Sequence, residues 1–129
     1  MSANDEPVQY FVQLDEAECR RLLEQAPVGR VAWESDEGVM VLPVNFAYEH
    51  DSIVFHTAPE TGLAALTQPT AVAFQVDDID AEHRLGWSVL VRGITRADSS
   101  HPPHSWVPHG RTLGIEISVD WLEGRAVSG

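Results

Sequence analysis

Short β-type runs at close spacing constrain this chain more than any other feature. Apolar and β-branched residues alternate or cluster over about Gly29–Glu34, Val39–Tyr48, Ser52–Thr57, Val72–Asp77, Trp87–Ala97 and Leu113–Val119. Turn signals separate them, with Ser35-Asp36-Glu37-Gly38 and Glu49-His50-Asp51 reading as hairpin loops. Two short helices accompany the strands. The first, EAECRRLLEQA, follows an N-cap aspartate, Asp15, with Glu18 three residues on, and ends at Pro27 and Gly29. The second is LAAL, after Thr61-Gly62. The prediction is a mainly β fold, a six-stranded antiparallel barrel that is closed or nearly so. Residues 1–13 are expected to be a flexible terminus and 14–129 a single domain.

Charge narrows the partners. The formal net charge is −12. Such a field repels nucleic-acid phosphate and anionic membrane, and the few basic residues form no run. No apolar stretch is long enough to span a bilayer, and the acidic, polar first residues do not resemble a signal peptide, so the expected compartment is the cytoplasm. The single cysteine, Cys19, lies on the apolar side of the first helix and reads as a packing residue.

The stretch from Val39 to Leu66 carries the candidate site. Pro43 interrupts the second strand, where a missing N–H signals an edge, a bulge or a ligand against the backbone. Asn45 is polar in an apolar run, and the next strand ends in His56-Thr57. His56 is the candidate acid–base group, because a histidine at a strand end can donate to a phosphate or a substrate carboxylate. At Glu60-Thr61-Gly62-Leu63 a hydroxyl and free N–H groups at a helix start offer an anion seat.

Elsewhere, the acids of Gln75–Asp80 lack the ligand spacing and turn glycine of a calcium loop. His101, His104 and His109 are too irregularly spaced for zinc. In the same Pro- and His-rich loop, Trp106 could cover a flat ligand and Arg111 could supply positive charge. Trp87 and Ser88 open a strand bracketed by glycines, where an aromatic ring can wall a planar ligand. No nucleophile elbow, P-loop or GxGxxG is present.

Taken together, LPVNF, IVFHTA, ETGLAAL, AFQVDDID, GWSVLVRG and the late Gly124-Arg125 resemble the FMN-binding split-barrel proteins, the superfamily of pyridoxamine 5'-phosphate oxidase. The likeness runs from about Leu14 to Arg125 and is closest to the small actinobacterial-type and nitroimidazole-reductase-like members. It implies a homodimeric split barrel with FMN in grooves at the interface, and a flavin-dependent oxidoreductase acting on a small molecule. It places the ring near Val44 and Asn45 and the phosphate near His56, Thr57, Thr61 and Gly62, with Leu63 also in the cofactor site. Trp87, Ser88 and Trp106 would come from the partner chain. Glu60 stands where the family loop has glycine, Gly62 where it has lysine, His56 where arginine is common, and Gln75 where glutamate is common. Losing two cations from a phosphate site costs about 1.5–3 kcal/mol each. The alternative is therefore a non-catalytic dimer that has lost FMN or takes another flat ligand, a deazaflavin or haem.

Overall fold

The six runs read from the sequence are strands, and together they close a ring. The computed structural model describes residues 10–99 and 113–128, with Tyr10 and Phe11 described by their backbone alone. In chain order the elements are β1 (Tyr10–Leu14), α1 (Glu16–Gln25), β2 (Val28–Ser35), β3 (Gly38–Glu49), β4 (Ser52–Thr57), a 3-10 turn (Gly62–Thr67), β5 (Ala71–Asp80), β6 (Leu85–Asp98), β7 (Leu113–Ser118) and β8 (Trp121–Ser128). All pairings are antiparallel, and the order β6-β5-β2-β3-β4-β7 returns to β6.

The sequence-based count of six is corrected to eight strands among the described residues. The additional strands, β1 and β8, lie outside the ring, β8 pairing with β6 and β1 with β8. Tyr10–Leu14 is therefore a strand, although a flexible segment was expected through residue 13. Strand β8 attaches to the N-terminal half of β6, which is long enough to serve two partners along that edge, and β1 adds beyond β8. Residues Leu85–Arg92 pair with β8, and Thr95–Asp98 pair with β7. Gly93 stands at the changeover. A methyl group there would sit inside the van der Waals envelope of the Ser118 carbonyl oxygen and 2.8 Å from its carbon.

The barrel interior is apolar. Val31, Ile53, Phe55, Phe74, Val76, Val89, Val91, Ile115 and Ile117 are fully enclosed, and Leu63 and Leu66 of the 3-10 turn plug one end. Phe46 meets Phe74 edge to face, with ring centroids 4.8 Å apart. The Phe74 ring lies over Gly29, where an added Cβ would fall inside the van der Waals envelope of the ring carbons.

Helix α1 covers the part of the sheet outside the ring. Asp15 caps it by accepting from the Glu18 N–H at 2.8 Å, an interaction worth about 1 kcal/mol. Its inner side buries Cys19, Leu22 and Leu23. Burial pushes the Cys19 thiol up, with the charge of Asp15 adding to the effect, as expected of a packing cysteine. Among the described residues, no helix is long and apolar enough to cross a membrane.

Candidate functional site

The cleft arises where β3 separates from β4. Their hairpin turn is His50-Asp51, both with positive φ, 51° and 64°, a type I′ geometry that closes the ladder at Glu49–Ser52. Hydrogen-bonded pairs then recur at every second residue, so Asn45 and His56 would be the next such pair after Ala47 and Val54. The ladder instead ends at Phe46–Phe55. From there β3 runs on against β2 while β4 stays with β7. Pro43 and Asn45 share one backbone orientation, toward the side that β4 has vacated, so the missing proline N–H removes nothing from the β2–β3 ladder.

A cleft of about 300 Å³ fills this split, lined by Val28, Pro43, Val44, Asn45, His56, Thr57, Thr61 and Leu63. Six candidate residues thus meet: Val44, Asn45, His56, Thr57, Thr61 and Leu63. Gly62 lies between two of them in the chain. Val44 and Leu63 are buried walls, and Asn45 and His56 are half-buried. The His56 ring lies beside Gly114, whose own Cβ would come within 3.3 Å of Nε2.

The hydroxyls are oriented by their own bonds. Thr61 Oγ1 donates to the Ala58 carbonyl at 3.0 Å, and Thr57 Oγ1 lies 2.6 Å from Thr61 Oγ1. Thr61 has one proton and has used it, so Thr57 donates to Thr61. Both threonines then face a ligand as acceptors. The Thr61 N–H also bonds the Ala58 carbonyl, at 3.3 Å. The expected helix here is a six-residue 3-10 turn, too short for an N-terminal dipole to build up. An anion seat at Thr61-Gly62 would therefore rest on individual N–H groups and not on a helix dipole.

Among the described residues, no cation lines the cleft. All eight basic residues of the chain are arginines. Arg30 is opposite Pro43 in register but is paired with Asp77 at 3.1 Å. Arg20, Arg21 and Arg96 are held by Glu16, Glu18 and Glu116 respectively. Trp106, Arg111 and the three loop histidines lie outside the described residues.

Trp87 and Ser88 project to opposite faces of β6, as consecutive strand residues must. Trp87 packs against the core beneath α1, whereas Ser88 is opposite Asp77 and Arg125, on the outer face that carries Arg30. They are not brought to one site within this chain, and neither lines the cleft. Pro43, read from the sequence as a place where a ligand could meet the backbone, lines the cleft, and sequence reasoning missed Val28. The pairing of Val28 with Asn45 was the signal available, given the β2–β3 turn.

The architecture is that of a split β-barrel. Residues 15–121 match the pyridoxamine 5'-phosphate oxidase family, and the chain belongs to it. The uncharacterised protein Rv0080 of Mycobacterium tuberculosis is 29% identical over 95% of this chain and 89% of its own length. A solved FAD binding protein from Mycobacterium smegmatis superposes with a TM-score of 0.75 at 27% identity, covering 91% of this chain and 98% of that one. A FAD-binding protein from Mesorhizobium loti shares the fold, with a TM-score of 0.74 at 21% identity over 95% of this chain and all of the other.

Proposed function

We propose that the β3–β4 cleft seats the ring system of a flavin, and that the chain is a flavin-dependent oxidoreductase acting on a small molecule. The observation that carries this reading is the meeting of Val44, Asn45, His56, Thr57, Thr61 and Leu63 in one cleft. Apolar walls with a few convergent polar groups suit a flat heteroaromatic ring. The Mycobacterium smegmatis relative, which binds FAD by name, adds support.

A bound flavin would supply hydride transfer, leaving the protein to position and to exclude water. In this reading Val44 and Leu63 hold the ring faces. The Asn45 amide offers both a donor and acceptors to the ring edge. His56 is the group placed to hold a proton at the cleft.

The cleft's size and the exposed apolar face beside it support a homodimer that completes the site. Val41, Ala32 and Ala73 lie side by side across β3, β2 and β5, with Val41 56% and Val39 76% exposed. Contiguous apolar surface of this kind marks a protein interface. Sedimentation should report a dimer, and Val41→Asp should weaken it by about tenfold or more. A monomer at micromolar concentration would refute this assembly.

FMN is the flavin we propose, and its phosphate can be tested separately from its ring. A Cβ added at Gly62 would have no neighbouring heavy atom within 4 Å, so a side chain there is sterically free. Gly62→Lys restores the charge that the family loop carries. It should tighten FMN by about tenfold and leave riboflavin unchanged, as read from visible absorption titrations. FAD in the same titration distinguishes the two cofactors. Protein that stays colourless and unsaturated with FMN and FAD in excess would overturn the flavin reading. The lack of a cation among the described residues of the cleft favours a second reading, a non-catalytic barrel that has lost FMN or holds a deazaflavin or haem. A Soret band in the purified protein would identify haem.

A further inference from the structure

We propose that the groove beneath α1 is a second binding site, which takes an amphipathic organic cation such as an arylalkyl amine. The groove has a volume of about 620 Å³, in the range of small-molecule sites. It shares no lining residue with the β3–β4 cleft.

Its floor is a row of residues in register across four strands. Val12 pairs with Ala126, Ala126 with Trp87, and Trp87 with Asp78. With strands spaced about 4.8 Å apart, the row is about 14 Å long. It runs from apolar at β1 to anionic at β5. In the next row Leu85 stands opposite Asp80. Leu22 of α1 closes the groove from above.

The charges decide the ligand class. Arg21, the basic residue at the groove, is held by Glu18 of the same helix. Asp80 is engaged by His83 at 2.7 Å. Asp78 makes no ion pair among the described residues, and it stands directly across from Trp87. An ammonium group there meets a carboxylate and an aromatic ring together, the combination that selects alkylammonium ligands. The apolar body then lies over Trp87, Ala126 and Val12. A net charge of −12 draws such cations toward the protein. Asp78 and Trp87 also line an adjoining groove of about 490 Å³ that reaches Val28, so a longer ligand has room to extend.

The test is a titration of the full chain with phenethylamine, phenethyl alcohol and phenylacetate, followed by the NMR signal of the Trp87 indole. The amine should bind about tenfold more tightly than the alcohol, and phenylacetate more weakly than either. Asp78→Asn, at an exposed position, should abolish the preference for amine over alcohol. Trp87→Leu should weaken both, and Asp36→Asn in a remote turn should change neither. Equal affinity for amine and alcohol would overturn the proposal. So would a preference that survives Asp78→Asn, or the absence of a Trp87 response at millimolar amine.

Discussion

Replacing Gly93 with alanine is expected to cost about 3 kcal/mol of folding stability and to lower the melting temperature by about 10 °C. The added methyl would collide with the main chain of Ser118, which cannot move aside as a flexible side-chain tip can. The surroundings leave little slack. The Ile94 N–H donates to Ser118 Oγ at 3.0 Å, and the Asp120 N–H donates to the Arg92 carbonyl at 3.0 Å. Moving Ser118 away would therefore disturb β7 and the start of β8 together. The backbone of Gly93 is not left-handed, so alanine meets no conformational penalty and the loss reports steric exclusion alone. A melting temperature within about 2 °C of the parent would refute this account of the strand changeover.

Asn45→Trp is expected to weaken flavin binding on the order of 100-fold while leaving the melting temperature within about 2 °C. Asn45 is half-buried at the mouth of the split, so an indole can occupy the cleft without entering the barrel core. Flavin titration of the variant, followed by visible absorption, is the measurement. Undiminished affinity would place the ring elsewhere on the protein. The contrast with Gly93→Ala separates the site from the scaffold. One substitution should remove binding without loss of stability, and the other should lower stability with the cleft residues intact.

Much of this arrangement is legible in the sequence, for local reasons. The ring strands announce themselves because each has a face turned to the core, giving alternation or apolar runs. The meeting of Asn45 and His56 follows by counting outward from His50-Asp51 once that turn is taken as two residues long. Strand β8 was not legible. Its sequence, WLEGRAVS, mixes charge with glycine because α1 covers only part of it and Gly124 must admit the Cys19 sulfur. Strand β1 is only five residues long and pairs on one side only, so its pattern is weak. The form of the turn at Gly62–Thr67 was not legible either. Nothing in GLAAL distinguishes a full helical turn from a 3-10 turn, and the Ala58 carbonyl that takes both Thr61 donors is a tertiary fact.

Pro43 has a consequence for assembly as well as for binding. An open strand edge with exposed valines at 39 and 41 is a template on which a stray strand from another molecule can grow. Such growth needs a donor at each outward-facing residue, and at 43 there is none. The proline interrupts strand addition at the mouth of the cleft. That leaves an opening which a small, compact ligand can enter but an extended polypeptide cannot fill, and it guards the barrel against edge-to-edge aggregation.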